Sequence, residues 1–151
     1  MERGYAHCFN SMPIDEFFAC SLGELPYRSI KFHTSTVPVP WLLPAATVNF
    51  THDGPYTRVT EWKRLPGHGT NDCMTTLTVE EPCDFRDNAM ERFYPVKDAA
   101  GENRRRAAAY AALVDPQMTF VGRCGSYAYL DMHQAVNHAL SKARIGSGLE
   151  R

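Results

Sequence analysis

A chain of 151 residues, 44% hydrophobic and 22% charged, is long enough to bury a sizeable core and is neither disordered nor fibrous in composition. With 16 Lys+Arg against 17 Asp+Glu the formal net charge is −1, so the basic footprint of a nucleic-acid binder is missing and any anion must be met locally. The amino-terminal stretch MERGYAHCFNSMPIDEFFAC carries Glu2, Arg3, Asp15 and Glu16 and has no uninterrupted apolar core. It reads as neither signal peptide nor membrane span, and the expected location is cytoplasmic.

From Ser11 to Gly23 the apolar residues Ile14, Phe17, Phe18 and Leu22 recur at helical spacing, with Ser11 able to cap and Gly23 and Pro26 beyond to stop the helix. Tyr27 to His33 reads as a strand. Pro38, Pro40 and Pro44 then exclude a central strand from VPVPWLLP. Thr47 to Phe50 and Tyr56 to Leu65 flank THDGP, whose Asp53-Gly54 predicts the positive backbone torsions of a tight hairpin. Met74 to Glu81 supplies a third strand, completing an antiparallel meander.

The second half predicts a short strand Phe93 to Val96, a helix from about Asp98 to Val114, a strand Met118 to Gly122 and a last helix from Met132 to about Arg144. Ala107, Tyr110, Ala111 and Val114 make one stripe of the first of these helices. Arg104, Arg105 and Arg106 read as a solvated face rather than a nucleic-acid contact. In the last helix Met132, Ala135, Val136, Ala139, Leu140 and Ala143 form the strongest periodic pattern in the chain, one that should pack on something. Asp131 with Gln134 reads as a capping-box variant. The fold class expected is α+β: residues 1–97 as an antiparallel sheet with a leading helix, and residues 98–151 as a helix-strand-helix part, the two expected to form one compact unit.

Two places carry chemistry. In PYTRVTEWK, period-two alternation sets Tyr56, Arg58, Thr60 and Trp62 on one face. A cation buried between aromatics would be costly unless an anion meets it. In TFVGRCGSYAYLDM a strand runs into Gly122-Arg123-Cys124-Gly125 and then a capped helix, an arrangement able to accept a phosphate. The same residues also suit a plain reading, with Asp131 as helix cap and Tyr127 and Tyr129 as packing residues.

Other chemistries lack support. The six histidines form no H-E-x-x-H or comparable metal pair, five cysteines show no CxxC spacing, and no G-x-S-x-G or G-x-G-x-x-G occurs. What remains is arginine with tyrosine hydroxyls, a set suited to a diphosphate: a guanidinium gives a charged fork and phenols give directional donors.

The ordered series PIDEFFACSLGELPYRSIKF, VNFTHDGPYTRVTEWK, RFYPV and TFVGRCGSYAYLDM resembles the carboxy-terminal part of UDP-galactopyranose mutase, from about Pro13 to Ala143. The resemblance implies a flavoenzyme, an isomerase that interconverts the pyranose and furanose forms of UDP-galactose for cell-surface polysaccharides. Reduced FAD would act as nucleophile at the anomeric carbon, with no net redox change.

Carried over by motif, the resemblance makes Arg58 and Asp131 catalytic residues, Arg58 reaching the diphosphate and Asp131 an acidic residue near sugar and flavin, and makes Tyr94 and Tyr129 phosphate-binding tyrosines. Gly122, Arg123 and Met132 become FAD contacts. Phe93 stands where the family has a first tyrosine, Met12 where a glycine usually precedes Pro-Ile-Asp, and a Thr-Val-Glu-Glu run where Arg-Glu-Tyr is usual. The family's amino-terminal nucleotide-binding part is not in this sequence. The resemblance therefore implies one wall of an active site, inactive alone, with an exposed apolar surface, a homo-oligomer or a missing half as partner, and no nucleic acid or membrane. The alternative is a non-enzymatic module of the same fold that holds a nucleotide sugar or a protein.

Overall fold

The computed structural model describes residues 6–69 and 72–146. In chain order the elements are β1 (Cys8–Asn10), α1 (Ile14–Phe17), β2 (Tyr27–Val37), β3 (Thr47–Asn49), β4 (Arg58–Glu61), β5 (Thr75–Asp84), β6 (Tyr94–Pro95), α2 (Glu102–Ala111), β7 (Met118–Phe120), α3 (Gly122–Gly125) and α4 (Met132–Gly146), with single 3-10 turns after β4 and β5. The strands form a parallel pair β1-β7 and a five-stranded sheet in the order β3-β4-β5-β2-β6. The predicted mixed architecture with a β3-β4-β5 meander is present, and both of its pairings are antiparallel. Contacts group residues up to Arg28 with those from Glu91 onward as one unit, and Ser29–Met90 as a second. Among the described residues no helix is long and apolar enough to cross a membrane.

In the first unit the leading helix is much shorter than the apolar spacing suggested. Only Ile14–Phe17 is helical, because Ala19 and Cys20 take left-handed torsions, φ 50 and 54, where side-chain-bearing residues stop a helix. The buried Asp15 accounts for the turn. One carboxylate oxygen accepts the Leu25 N–H at 2.9 Å, the other accepts the Tyr27 hydroxyl at 3.3 Å, and the Asp15 carbonyl takes the Cys20 N–H at 2.7 Å. Folding the chain back this way satisfies a carboxylate that would otherwise be buried alone.

Ile14, Leu25, Tyr27, Tyr110 and Phe120 make the buried apolar residues around it, each contributing about 1.5–3 kcal/mol by removal from water. Tyr110, from the predicted α2 stripe, accepts the Leu22 N–H at 2.8 Å and donates to the Gly23 carbonyl at 2.9 Å. Arg106 departs from the solvated face expected of the arginine run, since its Nη1 donates to the Glu24 carbonyl at 2.8 Å. A loop with free carbonyls lies beside that part of α2, and a guanidinium can satisfy one of them. At Gly125 a Cβ would lie 3.1 Å from the Asn10 carbonyl oxygen, so glycine lets the end of β1 pass.

The last helix forms where its periodicity predicted, but the stripe expected to pack is turned outward. Met132 is 81% exposed and Val136 and Leu140 are each 55% exposed, while Ala135, His138 and Lys142 are half-buried. An amphipathic pattern fixes which residues share a face, and a partner surface decides where that face points.

The second unit is built on cross-strand pairs. Thr47 faces Thr60 and Thr60 faces Thr78 across β3, β4 and β5. Thr34 and Thr78 hydroxyls lie 2.8 Å apart, and those of Thr36 and Thr76 2.9 Å. Such pairs each contribute some tenths of a kcal/mol, about 0.2–1. Val59, Leu77 and Phe85 are buried. The β3-β4 turn departs from expectation. Neither Asp53 nor Gly54 takes a positive φ, and the Phe50 N–H instead closes a wider loop on the Thr57 carbonyl at 2.9 Å. A Cβ at Gly54 would fall 2.4 Å from the ring of the exposed His52, a side chain that can turn away.

Candidate functional site

Along β4 the buried residues are Val59 and Glu61, so Arg58 and Thr60 take the open side. Arg58 is not the buried, unpaired cation that its place between aromatics suggested. Its side chain is 47% exposed, and Nε donates to Glu80 Oε1 at 2.8 Å, the residue directly opposite in β5. The register supplies the counter-charge, and the hydrogen bond to Glu80 holds the guanidinium charged. Its aromatic neighbours are engaged within the sheet. Tyr56 meets the His33 ring edge-on at 5.8 Å, and Trp62 Nε1 donates to the Thr78 hydroxyl at 2.6 Å.

Glu61, one residue from that open face, is fully buried and was not singled out by the sequence. Its carboxylate accepts the N–H groups of Leu42 and Leu43, both at 3.0 Å, the Thr75 hydroxyl at 2.7 Å and Arg64 Nε at 2.8 Å. Burial alone would raise its pKa. The four hydrogen bonds outweigh burial and lower it to about 2. Trp41 sits nearby, with the Lys63 ammonium and Arg64 guanidinium 4.6 and 4.7 Å from its ring centre. A glutamate in an alternating strand gives no advance notice of such a role, because three of its four partners, Leu42, Leu43 and Thr75, come from parts of the chain distant in sequence.

In the first unit, Tyr94 on β6 and Tyr129 after α3 come together. Their rings are 5.7 Å apart at 85°, the favourable edge-to-face arrangement. The Lys97 ammonium lies 4.4 Å from the Tyr129 ring centre, and Tyr129 is 53% exposed. Neither hydroxyl has a protein hydrogen-bond partner among the described residues. Tyr127 is the opposite case. Its hydroxyl donates to the Pro26 carbonyl at 2.9 Å and approaches that of Val96, and burial pushes its phenol up to about 12. A cleft of about 670 Å³ lies alongside, with Pro95, Lys97, Asp98, Arg104 and Tyr129 in its wall. Asp98 accepts the Asn103 N–H with one oxygen, while the other is buried without a partner among the described residues. Lys97, Asp98 and Arg104 were not candidate residues: no motif marks them, and only the return of the chain after α3 brings Tyr129 to Lys97.

The glycine loop is more tightly folded than a simple strand-to-helix passage. Gly122, the first residue of the four-residue α3, has φ 77, and among the described residues nothing lies within 4 Å of where a Cβ would be. Arg123 Nε donates to the Leu130 carbonyl at 2.6 Å, clamping the loop. Gln134 accepts the Asp131 N–H at 2.8 Å, which is one half of the predicted capping box. The Asp131 carboxylate stays exposed at the start of α4, beside Met132.

Residues 1–129 match the sequence profile of the UDP-galactopyranose mutase family. The chain belongs to that family. It is 31% identical over 135 residues to UDP-galactopyranose mutase of Mycoplasma pneumoniae, covering 86% of this chain and 33% of that protein. Against a probable UDP-galactopyranose mutase of Klebsiella pneumoniae the identity is 31% over 140 residues, 92% of this chain and 36% of the relative. Escherichia coli dTDP-fucopyranose mutase is 29% identical over 143 residues, 93% of this chain and 37% of the relative. The chain thus spans about a third of the length of the curated relatives it matches.

Proposed function

We propose that this chain forms the diphosphate-facing wall of a nucleotide-sugar mutase that interconverts pyranose and furanose rings, with UDP-galactose as its substrate. The observation that carries the reading is the Tyr94–Tyr129 pair beside Lys97, two unengaged phenol hydroxyls next to an ammonium. Phenols donate along fixed directions and the cation supplies charge, which suits phosphoryl oxygens that must be held as they leave and return. The names of the relatives support the sugar-nucleotide class: a UDP-galactopyranose mutase, a probable UDP-galactopyranose mutase and a dTDP-fucopyranose mutase.

Arg58 is assigned to substrate phosphate by the family resemblance alone, which requires Glu80 to share or yield the guanidinium. Asp131, with its carboxylate free, is assigned to the sugar side. Gly122, Arg123 and Met132 would border FAD. They fit one side of a planar group: open space beyond Gly122, a loop clamped by Arg123, and the exposed Met132. When bound, the reduced flavin supplies the nucleophile for the anomeric carbon. The residues of this chain position the diphosphate and sugar and leave the flavin's nucleotide portion to other polypeptide. In this reading β7 and α4 belong to the FAD-binding domain, the outward stripe of α4 meets the polypeptide that makes up the rest of the relatives' length, and the chain alone is inactive in the cytoplasm.

The test is titration of UDP into the purified chain, read by amide chemical shifts. Tyr94→Phe and Tyr129→Phe are each expected to weaken binding about tenfold, with Tyr127→Phe leaving it intact. UDP binding that ignores both tyrosines would overturn the assignment. A colourless protein that binds UDP-galactose, and that stays colourless with the missing polypeptide supplied, would favour the non-enzymatic module.

A further inference from the structure

A second cavity, of about 490 Å³, opens between α2, β7 and α4 within the first unit. Its floor is apolar, with Ile14, Ala107, Val114 and Phe120. Its nitrogen-bearing walls are Arg104 from α2 and His138 and Lys142 from α4. Other polar groups there are engaged in the fold: the Thr119 hydroxyl lies 2.9 Å from His7 Nε2, and Tyr127 holds Pro26. The carboxylate at this cavity is Asp115, whose Oδ1 accepts the Gln117 N–H at 2.8 Å.

By contrast, Arg104, His138 and Lys142 have no protein partner among the described residues, and His138 Nδ1 is buried without one. Native folds rarely leave such a nitrogen unmatched unless a water, an ion or a ligand meets it. The setting of α4 adds an independent observation. The helix turns Met132, Val136 and Leu140 outward and His138 and Lys142, one turn apart, toward the cavity. Amphipathicity alone would orient it the other way. Volume and lining fall in the range of small-ligand sites, a mainly apolar pocket with a few convergent polar groups.

We infer that this cavity binds a small organic anion, a phosphate or carboxylate carried on an apolar body. Lys142 and His138 meet the anionic head from one side and Arg104 from the other, and the body lies over Ala107, Val114 and Phe120. The cavity adjoins the Tyr129 cleft and shares Arg104, Ser126 and Tyr127 with it, but His138 and Lys142 line this cavity and not the cleft.

Phenyl phosphate titrated into the full chain is the probe, followed by amide shifts. Saturable shifts at Ala107, Phe120 and His138 are expected. Lys142→Gln and His138→Leu should each weaken binding at least about tenfold, and inorganic phosphate and phenol should each bind at least about tenfold more weakly than phenyl phosphate. Lys142 is half-buried with an unpaired head group, so its variant keeps the parent spectrum as a folding control. The inference is overturned by absence of saturable shifts at those residues, by unchanged binding in both variants, or by phenol binding as tightly. Tyr129→Phe separates the two sites. If it abolishes phenyl phosphate binding while Lys142→Gln does not, the ligand occupies the Tyr129 cleft, and the inference fails while the proposed function stands.

Discussion

Arg58 and Glu80 face each other across β4 and β5 with Nε and Oε1 2.8 Å apart, so the guanidinium assigned to the substrate already has an anion. The arginine side chain is 47% exposed but that of Glu80 only 12%, so removing the cation leaves a shielded carboxylate without its partner. Arg58→Ala should therefore lower thermal stability modestly, by about 1 kcal/mol. In an assembly competent for flavin it should lower turnover and UDP affinity by about tenfold or more. Glu80→Gln, which frees the guanidinium, should tighten UDP. Unaltered turnover and UDP affinity in Arg58→Ala would remove Arg58 from the site.

The tyrosines near α3 separate by role. Tyr127→Phe loses a hydrogen bond to the Pro26 carbonyl and should cost about 1 kcal/mol of stability, with UDP binding preserved. Tyr129→Phe should do the reverse. Paired thermal melts and UDP titrations on the two variants check this, and a shared loss of stability would identify Tyr129 as a packing residue.

Glu61 predicts an acid limb. Its folded pKa is about 2, depressed below the usual carboxylate value of 4.5. The stabilisation is present in full above pH 4.5 and is lost as pH falls toward 2, because the unfolded chain takes up the proton first. Glu61→Ala should destabilise the Ser29–Met90 unit on the order of 3 kcal/mol by stranding Arg64 and two backbone donors. Glu61→Gln should flatten the pH dependence between 4.5 and 2. Urea unfolding at several pH values in that window provides the measurement, and a parallel acid limb in Glu61→Gln would exclude this carboxylate as its source.

Asp15 holds the turn from α1 into β2 through the Leu25 N–H and the Tyr27 hydroxyl. Asp15→Ala strands the buried Leu25 N–H, while the Tyr27 hydroxyl keeps the Cys124 carbonyl at 3.3 Å, at a cost of about 1–3 kcal/mol, and burial beside that carboxylate pushes the Tyr27 phenol well above its ordinary value. Restoration of β2 and β6 amide protection in Asp15→Asn, but not Asp15→Ala, is the expected signature.

The outward stripe of α4 should make the isolated chain self-associate. Leu140→Glu, at a side chain 55% exposed, should lower dye binding and concentration-dependent association in sedimentation while leaving the helix intact.

Period-two and helical spacing, the prolines at 38, 40 and 44, and four motifs in order determined the meander, the main helices and the family, because these depend on local sterics and on which residues share a face. The tertiary structure alone decided that Arg58 meets Glu80, that Glu61 gathers four donors, that the Tyr127 hydroxyl is pinned while that of Tyr129 has no partner among the described residues, and that α4 points its apolar stripe outward. Each of those outcomes depends on a partner from a distant part of the chain, or on the lack of one, and burial and hydrogen-bond satisfaction settle it only once the elements are packed.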